Sequence, residues 1–136
     1  MENALYRTNR HSCYLLQYHL VIVTKYRHPV IQGGIKTFLI EQTKRLFDLW
    51  KCNVISVNTD KDHIHIMFEA QPQVQLSKLI NNYKTSTSRM IRNRFAEQLE
   101  PYYWKSYFWS TSYFVCTVSD RSADIVKSYI DSQGQS

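Results

Sequence analysis

Apolar residues crowd residues 14–24, where Leu20-Val21-Ile22-Val23 runs unbroken. A nearly continuous apolar and β-branched run of that length predicts a strand central in a sheet. Pro29 and Gly33-Gly34 then mark a loop. Over residues 35–50, Ile35, Phe38, Leu39, Leu46, Leu49 and Trp50 fall on one face of a predicted helix. Residues 53–58 alternate, with Ile55 and Val57 on one side, and the polar turn 58–62 joins them to a second strand over 63–70. Gln71-Pro72-Gln73 breaks that strand. A second helix is predicted over 76–95, with Leu76, Leu79, Ile80, Tyr83 and Met90 or Ile91 as its apolar stripe. After the aromatic loop opened by Pro101, residues 107–118 read as the last strand, and Ser122 or Asp120 could cap a final helix over 123–133.

The order β-α-β-β-α-β-α is a split β-α-β arrangement with one extra helix. It predicts a ferredoxin-like α+β fold, an antiparallel sheet with helices packed on one face. With 136 residues and no repeat or linker, the chain is expected to be one domain, 1–136.

Composition narrows the partners. No apolar run approaches a membrane span, and the N-terminus lacks the apolar core of a signal peptide, so a cytoplasmic protein without membrane contact is expected. Cys13, Cys52 and Cys116 have no metal or redox spacing and are read as reduced thiols in or near the core. The net charge of +6 favours a polyanion, and rings beside cations sharpen this, as in Lys25-Tyr26-Arg27 and Tyr102-Tyr103-Trp104-Lys105. Cations neutralise phosphates while flat rings stack on exposed bases, the combination a single-strand binder needs. Packing in the core is the competing use of these rings.

Two clusters carry candidate chemistry. Along residues 63–69, Ile64, Ile66 and Phe68 point one way and His63, His65, Met67 and Glu69 the other. Two neutral imidazoles on one open face can converge on a metal ion, although paired histidines also occur in strands by chance. Tyr129 and Gln133 are neighbours on one face of the final helix. A phenol can attack phosphorus if it loses its proton or lies near a cation, and an amide oxygen suits a hard ion. From spacing alone, a core stripe of Ile125 and Tyr129 with Gln133 solvated is the better fit. His11, His19 and His28 have no partner at ligand spacing.

Five stretches follow one another along the chain. The first three are Tyr18-His19-Leu20-Val21-Ile22-Val23-Thr24-Lys25-Tyr26-Arg27, Asp62-His63-Ile64-His65-Ile66 and Leu79-Ile80-Asn81-Asn82-Tyr83-Lys84-Thr85-Ser86. Then come Phe108-Trp109-Ser110-Thr111-Ser112-Tyr113-Phe114-Val115 and Tyr129-Ile130-Asp131-Ser132-Gln133. In these motifs and their order, over nearly its whole length, the chain resembles the single-tyrosine HUH transposases of the insertion sequence 200/605 group. It implies an enzyme that excises and inserts single-stranded DNA at hairpin-bearing element ends through a 5′-phosphotyrosine link, with Mg2+ or Mn2+ as cofactor. By position, Tyr129 would be the nucleophile, and His63, His65 and Gln133 would hold the metal. The sequence departs from the family at Ser119-Asp120, where many relatives have glycine before the nucleophile helix, and it ends soon after Tyr129, so a C-terminal extension is not expected.

Lys25, Arg27, Lys84, Arg89 and Arg92 are expected to contact DNA phosphates. Excision involves two element ends, so a homodimer with shared active sites is expected, paired through the last strand. The chain has no Gly-rich phosphate loop, consistent with transesterification without an external energy source. The competing readings are a non-catalytic single-strand nucleic-acid-binding module on the same fold, a host-retained relative processing repeated hairpins, and a metal phosphodiesterase using water.

Overall fold

The computed structural model describes residues 7–8, 13–14 and 16–133; His11 and the Cys13 side chain lie outside the described residues. β1 (Arg7–Thr8) and β2 (Cys13–Tyr14) form a small antiparallel ladder. The main sheet comprises β3 (Gln17–Val23), β4 (Asn53–Asp60), β5 (His63–Glu69) and β6 (Phe114–Thr117). These four strands are antiparallel in the order β4-β5-β3-β6, the order of a split β-α-β fold. The helices are α1 (Gly33–Leu49), α2 (Leu76–Arg94), a short α3 (Ala96–Leu99) and α4 (Ser122–Ser132).

Strand register decides which residues share a face. Leu20 pairs with Ile66 and Ile22 with Ile64, and these four side chains are fully buried with Phe68, Leu39, Phe47, Leu79, Ile80 and Tyr83. Burying each such side chain is worth roughly 1.5–3 kcal/mol, so this face holds α1 and α2 to the sheet. On the other face, Val21 pairs with both His65 and Phe114, His19 with Met67 and Val23 with His63. The extra C-terminal helix, α4, lies on this second face, against β3 and β6.

Four local expectations change. The last strand is only β6, because Phe108, Trp109 and Ser110 turn inward and are buried. The Trp109 indole donates to Thr87 Oγ1 at 2.9 Å, and a lone bridge, Thr24 to Trp109, is all that continues the pairing. A register shift between Val54 and Ser56 puts Val54 and Val57 against the core and leaves Ile55 exposed, so Ile55 and Val57 do not share a side. In α1, Phe47 is buried and Leu49, in the last turn, is 67% exposed. Neither Ser122 nor Asp120 is the N-cap of α4; Arg121 holds that position with no side-chain cap bond.

Candidate functional site

The alternation of β5 puts His63 and His65 on the face opposite the core, as the sequence predicts, both half-buried. Their ring nitrogens have different partners. His63 Nδ1 is 2.9 Å from Asp62 Oδ1. A neutral His63 therefore donates from Nδ1 and carries its lone pair on Nε2, the state a carboxylate imposes on a metal-binding histidine. His65 Nε2 is 2.8 Å from Nδ1 of His19, and the two rings are stacked with centroids 5.0 Å apart. His19 Nε2 is 2.9 Å from Ser122 Oγ at the start of α4, and that hydroxyl donates to Ser119 O. With the Ser122 proton so directed, His19 donates from Nε2 and accepts at Nδ1, which puts the proton of His65 on Nε2. Burial lowers the pKa of His19. Burial, then the neighbouring His19 and His63, lowers that of His65, so both favour the neutral imidazole.

Ser122, Val126 and Tyr129, at helical spacing, are the inward residues of α4; Ile125 is exposed, which removes the proposed Ile125–Tyr129 core stripe. The Tyr129 ring stacks on Phe114, centroids 4.9 Å apart and planes 25° apart. Its hydroxyl is buried and has no hydrogen-bond partner among the described residues. Gln133 caps the C-terminal end of α4 and is half-buried.

One side chain joins these two parts. Arg27 donates from Nε to Asp62 Oδ2 at 3.0 Å, and its Nη2 lies 3.0 Å from the same oxygen. From Nη1 it donates to the carbonyls of Ile130, at 2.8 Å, and Gln133, at 2.7 Å. The face that carries both histidines thus also carries the helix of Tyr129 and Gln133, with a guanidinium fastening that helix beside His63.

The family model described as "Transposase IS200 like" matches residues 12–133, which include every residue of this face. The chain belongs to the IS200-like transposases. It is 28% identical over 127 residues to the ISDra2 transposase TnpA of Deinococcus radiodurans, covering 93% of this chain and 90% of that protein. It is 27% identical over 123 residues to the transposase for insertion sequence element IS200 of Salmonella typhimurium, covering 90% and 80%. A crystal structure of a candidate transposase from Deinococcus radiodurans R1 superposes with a TM-score of 0.86 at 25% identity, covering 96% of this chain and 99% of that one. A REP-associated tyrosine transposase bound to a REP hairpin shares the fold, with a TM-score of 0.60 at 6% identity over 89% of this chain and 68% of that one. No helix among the described residues is long and apolar enough to cross a membrane.

In this IS200-like transposase Asp60, Asp62 and His63 bring ligand atoms within 4.8 Å of one another, a candidate Asp/His site for a divalent ion, and the Tyr129 hydroxyl is an orphaned polar atom on the same face. His65 can offer Nε2 only once its bond to His19 gives way. Asp60, His19 and Ser122 are not marked as site residues by the sequence, because only strand pairing and the packing of α4 bring them to the histidines, and Asp62 was not marked either. The signal available for Asp62 was its place directly before His63.

Of the five cations expected to meet phosphate, Lys84, Arg89 and Arg92 line one open groove of about 290 Å³ with Tyr107 and Trp109. Lys25 sits over the Tyr107 ring at 5.2 Å, close to that groove. Lys84 also donates to Thr111 O at 3.1 Å, and burial lowers its pKa. Arg27 is set apart from them, its fork turned to protein acceptors.

Proposed function

We propose that this transposase cuts and rejoins single-stranded DNA at hairpin-bearing element ends, with Tyr129 as nucleophile. One observation carries the reading. The Tyr129 phenol is oriented by Phe114 on the face of His63 and His65, and its buried oxygen has no described hydrogen-bond partner. A buried hydroxyl without a partner is costly in a purely structural role, whereas a nucleophile must keep its oxygen free of competing hydrogen bonds until the reacting atom reaches it.

In this mechanism Tyr129 Oη bonds to the scissile phosphorus and gives up its proton to solvent. The bond from phosphorus to the 3′-oxygen breaks, and that oxygen leaves with a proton as a 3′-hydroxyl. The 5′-phosphotyrosine conserves the ester bond, so a 3′-hydroxyl can attack it and restore both the DNA strand and the phenol. His63, His65 and Gln133 would hold Mg2+ or Mn2+. When bound, such an ion supplies positive charge to the scissile phosphate and favours the phenolate. Asp62 keeps the His63 lone pair on Nε2, and Phe114 holds the plane of the phenol.

Lys25, Lys84, Arg89 and Arg92 supply phosphate contacts along the groove beside Tyr107. The hairpin-bound transposase of the same fold supports hairpin DNA as the ligand class. The working form is a homodimer, since two ends must be cut and exchanged. Incubation with labelled single-stranded element ends and manganese, followed by denaturing gels, tests the reading. A protein–DNA adduct is expected; cleavage without an adduct would point to water as nucleophile, and binding without cleavage to a non-catalytic module.

A further inference from the structure

α4 has eleven residues and few attachments. Ser122 and Val126 are its only fully buried residues, and the Tyr129–Phe114 stack adds one apolar contact. Helices this short are marginal in water on their own, so anchoring at the ends decides whether the helix stays in place. The N-terminal end is tied by Ser122 to His19. The C-terminal end has no basic residue in its last turn, although the last carbonyls and the negative end of the helix dipole favour a cation there. Arg27 supplies that cation from the exit of β3, through charge-assisted bonds to the carbonyls of Ile130 and Gln133.

The backbone at Arg27 adds an independent sign. Tyr26 and Arg27 both have left-handed φ angles, 58° and 51°, which are strained for non-glycine residues. Such a conformation persists only where its surroundings fix it. The fully buried Thr24 does so: its N–H donates to Asp62 O at 2.9 Å, and its hydroxyl reaches His28 O at 2.8 Å and Asp62 O at 3.2 Å. The strained turn and Asp62 are thus built as one unit. That unit aims a single guanidinium at the end of α4, while the other oxygen of the same carboxylate holds His63.

We propose that Arg27 and Asp62 form a clasp that sets the C-terminal end of α4 on the histidine face, and so governs how often Tyr129 and Gln133 are in position to react. Both are positioning residues, and their part in cleavage rests on the function proposed above. The docking itself does not. Loosening the clasp at Arg27 leaves the core, the histidines and the basic groove intact, and frees the end of the helix that carries Tyr129, whereas loosening it at Asp62 also releases His63.

The test uses the full chain with Arg27→Lys, which keeps the charge and loses the fork, and Asp62→Asn, which weakens the anchor. Backbone hydrogen exchange on the metal- and DNA-free protein is read alongside single-turnover adduct formation at saturating DNA. The clasp predicts exchange about tenfold faster in the last turn of α4, with α1 and α2 unchanged, a spread of local stabilities such measurements resolve. In Arg27→Lys, which leaves the Asp62–His63 contact in place, adduct formation should slow by a similar factor, while hairpin affinity and its salt dependence stay at wild-type values. Unchanged exchange in α4 in both variants would overturn the clasp. Unchanged exchange, together with a shallower salt slope in Arg27→Gln, which removes the charge, would identify Arg27 as a phosphate ligand instead. If the wild-type chain forms no adduct, the nucleophile reading fails, and the exchange data still decide whether the clasp exists.

Discussion

The ring of Tyr129 lies on the ring of Phe114, 4.9 Å between centroids, so apolar contact orients the phenol while its buried oxygen has no partner among the described residues. An unpaired buried hydroxyl costs roughly 1–3 kcal/mol. Tyr129→Phe should therefore leave thermal stability unchanged or raise it. A loss of more than about 1 kcal/mol in denaturant unfolding would mean that the hydroxyl bonds within the protein.

The three histidines of the sheet face separate in a metal titration. His63 has its Nδ1 on Asp62, while His65 shares a bond with His19. His63→Ala and His65→Ala should each remove manganese binding seen by calorimetry and abolish cleavage. His19→Ala should retain the binding, because it takes away a competitor for His65 Nε2. Loss of binding in His19→Ala would make His19 a ligand, and intact binding in His63→Ala would move the metal elsewhere.

Charge removal along the groove should change the salt dependence of DNA binding. Removing a single phosphate-binding cation, by Lys84→Ala, Arg89→Ala or Arg92→Ala, should reduce the log-log slope by roughly 0.7 on single strands, or 0.9 on a duplex stem. Slopes that do not move would assign these side chains to a solvated face.

What the chain reveals before it is folded depends on which forces act locally. The histidine face was readable because β5 alternates strictly, and Ile64, Ile66 and Phe68 had to face the core. The helices α1 and α2 were readable from their stripes. The inward turn of Phe108 and Trp109 was not, since the Thr87 partner of the indole lies on another helix. Nor was the exposure of Ile55, which depends on a one-residue bulge against β5. The part of Arg27 was hidden for the same reason. Beside Lys25 and Tyr26 it resembles a phosphate contact, and only the tertiary fold brings it to the carbonyls of Ile130 and Gln133.

A shared-site dimer makes a mixing prediction. In one chain α4 lies against its own sheet, and β6 is a short edge strand rather than the long one read from the sequence. If the helix is lent between subunits, a Tyr129→Phe chain mixed with a His63→Ala/His65→Ala chain holds one intact site and should recover cleavage at one position. If each site uses only its own chain, the mixture stays inactive.

The proposed mechanism stands on a covalent bond between Tyr129 and DNA. Mass spectrometry detects that bond in peptides from the protein after reaction with single-stranded element ends and manganese, run beside Tyr129→Phe. A nucleotide adduct on the peptide carrying Tyr129, absent from Tyr129→Phe although that variant still binds the hairpin, is the predicted result. Cleavage that persists in Tyr129→Phe, or an adduct on any other residue, would contradict it.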